Sequence, residues 1–349
     1  MTEIRIRIEG RAGRITLCRP GALNALSYEM CLAIDAALGT WAQDPAVALV
    51  VIDAEGDKAF CAGGDIAEMY QTGTAGDFDY GRRFWRDEYR MNARLAEFPR
   101  PVISLMQGFT MGGGVGVGCH GSHRVVCESS KIAMPECGIG LVPDVGGSAL
   151  LARAPGRLGA YLGLTGTRMG PADAILAGFA DLYVPRAAWA DLVAELERSG
   201  AAEAVSRAAE APPEGTLDAA QPRIDRLFAG VDLPAIRARL ASDSSPLAQS
   251  AVAALDRNCP LSMGCTLEML RHLQETGAGI RDALAQEYRF TYRAMAQGDF
   301  IEGIRAAIID KDRNPRWQHR LDDLPPEAVA RMLAPLGAAE LTFEEEATG

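Results

Sequence analysis

VALVVIDAEGDKAFCAGGDI, residues 47–66, decides how the rest of the chain is read. Its first part, Val47–Asp53, is a compact β-branched run of the kind found in a buried parallel strand. Its last part, Ala59-Phe60-Cys61-Ala62-Gly63-Gly64-Asp65-Ile66, turns on two adjacent glycines and leads into a short helix. Glycine has no Cβ, so the backbone there lets a ligand approach closely. Taken alone, Ala-Gly-Gly-Asp reads more simply as a tight strand-to-helix turn.

The same grammar returns downstream. Pro101–Met106 is another apolar strand, followed by Gln107-Gly108-Phe109-Thr110-Met111-Gly112-Gly113-Gly114. The glycine cluster 112–118 opens a helix, although glycine disfavours a helix by about 1 kcal/mol per residue relative to alanine. Such a sequence points to close approach of another group. A helix N-terminus also presents unpaired N–H groups that stabilise an anionic oxygen.

Outward from these turns, residues 3–8 and 13–17 alternate as a hairpin. Ser27 caps a helix running to about Trp41, with Met30, Ala33, Ile34, Ala37 and Leu38 at helical spacing. Residues 78–97 form a longer helix, and Arg124–Cys127 the next strand. Strands alternating with helices predict an α/β fold with a parallel sheet and right-handed crossovers. From about residue 156 the pattern is mostly helical, with clear periods at 233–241, 261–274 and 280–297. Residues 200–222, rich in Ala, Glu, Pro and Gly, read as a mobile connector or surface insertion. The last residues, FEEEATG, read as frayed.

Composition narrows the function. The 349 residues suit one large domain, or one domain with an appendage. A formal net charge of −11 and a pI near 5.0 argue against nucleic acid as a partner. No apolar run is long enough to predict a membrane span, and the N-terminus lacks the apolar core of a secretory signal. Eight scattered cysteines, none in a CxxC pair, read as free thiols in a reducing cytoplasm.

The third informative segment is MPECGIGLVPDVGG, residues 134–147. It sets Glu136 and Asp144 in an apolar loop punctuated by glycine and proline. Acids in such surroundings often have shifted pKa values and suit acid–base roles, although each taken alone reads equally well as a satisfied structural carboxylate. Competing motifs fail. Gly116-Val117-Gly118-Cys119-His120-Gly121 matches a dinucleotide fingerprint, but the preceding strand ends well before Gly116. Cys61 and Cys119 have no histidine placed beside them, and His120 and His123 lack a ligand set, so no metal is expected. His272 and His319 read as ordinary, and there is no G-x-S-x-G elbow.

Together with Arg19-Pro20 and Leu23-Asn24-Ala25-Leu26, the three segments resemble the crotonase (enoyl-CoA hydratase/isomerase) superfamily from about residue 5 to 185. The resemblance implies a ClpP/crotonase-like ββα superhelix with a helical C-terminal region. The implied organisation is an acyl-CoA-binding core at 1–195, a helical insertion or connector at 196–258, and helices at 259–349 covering the active site. It implies an oxyanion held by the N–H groups of Gly64 and Gly113. It also implies contacts to coenzyme A from Leu23, Asn24, Ala25, Ala62, Gly64, Asp65 and Ile66.

The acids refine the resemblance. Hydratases of this superfamily hold water between two glutamates. One of them corresponds to Glu136 and the other to position 116, which is glycine here. Position 144, usually glycine in hydratases, is Asp144. MPE…GLVPDVGG is similar to the 3-hydroxyisobutyryl-CoA hydrolase family of valine breakdown. So are FWRDEY at 84–89, Glu287-Tyr288-Arg289, DFIEGIRA at 299–306, and IDKD at 309–312 with Pro315 and Trp317. That likeness implies thioester hydrolysis. Glu136 would act as nucleophile or general base. Asp144 and Glu88 would hold the substrate hydroxyl or water, with Gly112 and Gly113 lining the substrate. Lys311 and Arg305 would reach coenzyme A phosphates, unless they form a plain solvated face. The expected partner is a short-chain acyl-CoA. No cofactor beyond the coenzyme A of the substrate, no nucleic acid and no membrane are expected, in a cytoplasmic monomer, trimer or hexamer. The alternatives are a hydratase or isomerase with an altered acid set, or a non-catalytic acyl-CoA binder.

Overall fold

A computed structural model describes residues 2–343. The chain begins with the expected hairpin, β1 (Ile4–Glu9) against β2 (Ala12–Leu17), and then α1 (Tyr28–Trp41). Ser27 caps α1 by accepting from the N–H of Met30. Three ββα units follow. The first is β3 (Leu49–Ala54), β4 (Ala59–Cys61), α2 (Ala67–Thr74) and α3 (Asp79–Ala96). The second is β5 (Val102–Met106), β6 (Phe109–Met111) and α4 (Gly113–Gly118). The third is β7 (His123–Val126), β8 (Lys131–Ala133) and α5 (Gly147–Arg153).

The long strands join one six-stranded sheet in the order β1-β2-β3-β5-β7-β9, where β9 is Leu182–Tyr183. The short strands stack into a second, parallel sheet, β4-β6-β8. This is the ββα superhelix expected from the sequence. Strand β3 shows why it is apolar throughout. Val50 and Ile52 pack into the main core, whereas Leu49 and Val51 point to the other face and belong to a second apolar cluster that includes Trp189, Leu192 and Leu196. The three short strands escaped the sequence reading because three residues show no period.

The remaining helices are α6 (Leu158–Thr165), α7 (Pro171–Leu176), α8 (Trp189–Ser199), α9 (Glu203–Ala208), α10 (Leu217–Leu227), α11 (Leu233–Ala241), α12 (Pro246–Arg257), α13 (Pro260–Thr276), α14 (Ile280–Gln297), α15 (Phe300–Ile304) and α16 (Pro326–Leu333). Residues 200–222, expected as a mobile connector or a surface insertion, carry helical structure. They contain α9 and the start of α10, and Ala204, Val205 and Leu217 are buried. The side chain of Asp173 accepts from the N–H groups of Thr216 and Leu217 and so fastens the start of α10. Pro222 lies inside α10, which is why that helix was not legible. Helix α12 also went unread. The fraying expected of residues 343–349 falls, beyond Phe343, outside the described residues.

Helix α14 packs along α3 and against α5, bringing the C-terminal region onto the superhelix. Among the described residues no helix is long and apolar enough to cross a membrane.

Candidate active site

Two glycine turns meet at the end of the small sheet. In the first, Leu26 donates to the Gly63 carbonyl and accepts from Asp65, so residues 23–26 run alongside 62–65. Gly63 has φ +120, which an L side chain rarely adopts. In the second, Gly112 turns with φ +49 and Gly113 starts α4. The fit between the turns leaves no room. A Cβ on Gly114 would lie 2.1 Å from the Cys61 carbonyl oxygen, and one on Gly113 would lie 3.2 Å from Gly64 N. The N–H groups of Gly64 and Gly113 are therefore neighbours. Neither donates to any acceptor among the described residues. Helix α4 has only six residues, so its dipole is small, and the local N–H groups carry the electrostatics.

Four carboxyl groups converge beside them. Glu136 follows β8 and begins a short 3₁₀ helix, Glu136–Ile139. A Cβ built on Gly112 would lie 2.9 Å from Glu136 Oε1, so this carboxyl sits over the second turn. Glu88, on α3, has Oε1 3.1 Å from the position of a Cβ on Gly113. Asp144 lies in the loop before α5 and accepts from the Tyr89 hydroxyl at 2.8 Å. Glu287, on α14, accepts from the N–H groups of Gly146 (2.8 Å) and Ser148 (3.1 Å) and from the Ser148 hydroxyl.

All four are buried, and burial is the main cause of their shifts. Glu88 and Glu136 are pushed well above the usual carboxylate range, each raised further by the charge of Asp144. Asp144 is pushed up to about 7, against the opposing pull of the Tyr89 hydrogen bond. Glu287 is pushed up to about 8, against its Ser148 and Gly146 donors. Glu88 Oε1 and Glu136 Oε2 are buried without a protein partner. A buried polar oxygen left unpaired costs about 1–3 kcal/mol, and such costs concentrate where a ligand is to be met.

Position 116 is closed. A Cβ there would lie 2.7 Å from Asn92 Nδ2 and 2.9 Å from Val145 Cβ. A glutamate does not fit at this point of α4 without displacing both.

The segments assigned to coenzyme A lie together. Leu23, Ala25, Ala62, Gly64, Asp65 and Ile66 form a half-buried strip. Asn24 is buried, and its side chain is consumed by the turn itself. Its amide donates to the carbonyls of Glu55 and Ala59 and accepts from Arg19 N–H. Arg19 also reaches Asp65 at 2.8 Å and the Ala25 carbonyl at 2.7 Å, tying the two segments together. Lys311 is exposed with φ +57. Arg305 pairs with Glu302, Asp310 and Asp312, so its charge is already matched.

Burial pushes the Cys61 and Cys119 thiols up to about 12. Burial lowers His120 to about 4, and its Nε2 donates to the Val145 carbonyl. Among the described residues no His, Cys, Asp or Glu cluster suits a metal ion. All eight cysteines are unbridged. A cavity of about 790 Å³, lined by Phe228, Val231, Leu270 and Val329 among others, includes none of the four acids. Sequence reasoning missed the role of Tyr89, Ser148 and Glu287 in this arrangement. Glu287 stands out in the sequence only as part of a family-like motif.

Comparison with known proteins is consistent along nearly the whole chain. Residues 12–333 match the model of the enoyl-CoA hydratase/isomerase family. The chain is 36% identical to "3-hydroxyisobutyryl-CoA hydrolase, mitochondrial" of Gallus gallus, covering 97% of this chain and 90% of that one. It is 34% identical to the Homo sapiens protein of the same name, over 98% and 91%. Among solved structures, one described as an enoyl-CoA hydratase from Rhodobacter sphaeroides 2.4.1 matches with a TM-score of 0.94 and 60% identity, covering 98% and 100%. One described as a carnitinyl-CoA dehydratase from Mycobacterium thermoresistibile matches with a TM-score of 0.94 and 38% identity, over 99% and 100%.

Proposed function

This chain belongs to the enoyl-CoA hydratase/isomerase family, and from that premise we propose that it hydrolyses the thioester of 3-hydroxyisobutyryl-CoA to 3-hydroxyisobutyrate and free coenzyme A. The observation that carries this reading is the acid set. Glu136 and Asp144 are present and buried, whereas the place of the second hydratase glutamate is a glycine closed by Asn92 and Val145. Paired-glutamate hydration lacks one of its two carboxylates.

In the proposed mechanism the thioester carbonyl oxygen lies between the N–H groups of Gly64 and Gly113. Attack at carbon places negative charge on that oxygen, where the two donors stabilise it. Losing one such donor raises a barrier by roughly 3–4 kcal/mol. Glu136 either attacks the carbonyl to form a mixed anhydride or takes a proton from an attacking water. The C–S bond then breaks, and the thiolate leaves readily because a thiol pKa is about 8.5. Water finally supplies the oxygen of the acid product and the proton of the thiol. Asp144 and Glu88 hold the 3-hydroxyl or orient water. The raised value of Glu136 makes it a stronger base than a free carboxylate, at the cost of being ionised only at higher pH.

Leu23, Asn24 through its backbone, Ala25, Ala62, Gly64, Asp65 and Ile66 form the proposed coenzyme A strip, with Lys311 near the phosphates. The eight unbridged cysteines support a reducing compartment. The cytoplasm was expected, but the named relatives are mitochondrial. We take the protein to act as a monomer or closed homo-oligomer, and the net charge of −11 gives no support to a nucleic-acid partner.

The description of the Rhodobacter structure favours a second reading, hydration of an enoyl-CoA. A panel of short acyl-CoAs separates the two. The hydrolase reading expects free thiol from 3-hydroxyisobutyryl-CoA, and 3-hydroxypropionyl-CoA tests how narrow the preference is. Water addition to an enoyl-CoA without thiol release would replace it with the second reading.

A further inference from the structure

Helix α14 lies outside the superhelix, yet two adjacent residues of it touch the groups that hold Asp144: Glu287 the turn after it and Tyr288 the ring of Tyr89. The loop that presents Asp144 is an improbable one. Val145, a β-branched residue, sits at φ +53 and Gly146 at φ +79. A β-branched side chain in the left-handed region is strained and persists only where surrounding contacts impose it. The contacts that impose it here come from three directions. The Asp144 carbonyl accepts from Gly147 N–H at 2.7 Å, and the Val145 carbonyl accepts from His120 Nε2 at 2.7 Å. The N–H groups of Gly146 and Ser148 and the Ser148 hydroxyl all donate to the Glu287 carboxylate. The side chain of Asp144 is held separately, by the Tyr89 hydroxyl. The ring of Tyr89 packs edge-on against Tyr288, with centroids 6.2 Å apart.

We infer that Glu287 is a positioning residue for the proposed thioester hydrolysis, fixing through the turn at 145–148 the direction in which Asp144 meets substrate. This rests on the hydrolase reading above. Glu287 is entirely buried, and its three donors belong to the active-site loop and the first turn of α5. Replacing one of its two oxygens by an amide NH2 sets a donor against at least one of these three donors and frees the strained turn to relax. Misplacing a catalytic group by about 1 Å costs about 100-fold in rate. Helix capping of α5 alone would cost stability and leave the turnover of the folded enzyme unchanged.

The test is a double-mutant cycle on thiol release by the full chain, with melting temperatures recorded for each variant. Glu287→Gln is expected to lower kcat by about 10- to 100-fold while KM for 3-hydroxyisobutyryl-CoA stays within about twofold, because Glu287 acts through Asp144. In the Asp144→Asn background the same substitution is expected to change kcat by less than about twofold, since the group it positions is already lost. A Glu287→Gln enzyme with near-normal kcat, or losses that multiply across the cycle, would overturn the inference. If Glu287→Gln does not fold, Ser148→Ala decides. It removes one of three contacts and is expected to lower kcat by about 3- to 10-fold, again only when Asp144 is present. A Ser148→Ala enzyme at wild-type rate, or an effect independent of Asp144, overturns the inference equally. Wild type that releases no thiol would instead sink the hydrolase reading, and this inference with it.

Discussion

The two glycine turns and the cluster of four buried acids lie side by side, and they are built on opposite principles. The turns are backbone, local and sterically saturated. Gly114 has a carbonyl oxygen 2.1 Å from where its Cβ would be, and the N–H groups of Gly64 and Gly113 are left free by the shape of the chain itself. The cluster is side chain, long-range and electrostatically strained. Its acids come from α3, from the loop after β8 and from α14, and burial pushes each above its ordinary range. A methyl group is the natural way to break the first, and removal of a charge the natural way to break the second.

The largest effect is expected from Gly114→Ala. The added carbon meets the Cys61 carbonyl, so one turn must move off the other and both N–H groups lose the common target proposed for them. Losing one such donor costs about 100- to 1,000-fold in kcat. Thiol release is therefore expected to fall by more than that, with overpacking costing about 1–3 kcal/mol of stability or more in a denaturant titration. Near-normal turnover would show that the two turns need not touch.

Asp144→Asn ranks next. It keeps the shape of the side chain and the contact with Tyr89 but removes an acid, and kcat is expected to drop by about 10- to 100-fold in steady-state assays. Glu88→Gln should act mainly on KM for a hydroxylated acyl-CoA, by about 10-fold, with a smaller effect on an acyl chain lacking the hydroxyl. Equal losses on both substrates would take the hydroxyl away from Glu88.

The strain in the cluster also has a sign in stability. Asp144 is held at about 7 in the folded chain against an ordinary value of 3.8. Between those values the unfolded chain has released a proton that the folded chain retains. The contribution is fully present below the ordinary value and is lost as pH rises through the folded one. Asparagine carries no such loss. The melting temperature of Asp144→Asn minus that of wild type is therefore expected to become more positive from about pH 4.5 to about pH 8. A difference that is flat or falls with pH would contradict the raised value. The smallest effect is expected at Lys311→Ala, a few-fold rise in KM that fades with added salt because the residue is exposed.

The same contrast explains what was legible in the sequence. Glycine demands are local. The glycines at 63–64 and 112–114 point to close backbone approach from the sequence alone, and the β-branched run at 47–53 points to a buried strand. Glu136 and Asp144 were legible because acids stand out in an apolar loop. Glu287 was not, because its contacts span 141 residues of chain and nothing in its neighbourhood distinguishes it from a charged residue on a solvated helix face. The strands β4, β6 and β8 are too short to show alternation. The helices within 200–222 are hidden in the sequence because proline inside α10 looks like a helix breaker, while the carboxylate that accepts from the first N–H groups of that helix, Asp173, lies 43 residues away.

The measurement that bears most directly on the central claim is thiol release from 3-hydroxyisobutyryl-CoA by Glu136→Gln beside wild type, with acyl-CoA binding measured on both by calorimetry. The account predicts that the variant still binds the acyl-CoA and that thiol release falls by about 1,000-fold or more, because the group that attacks or activates water is gone while both N–H donors remain. A variant that binds and releases thiol at close to the wild-type rate would contradict it.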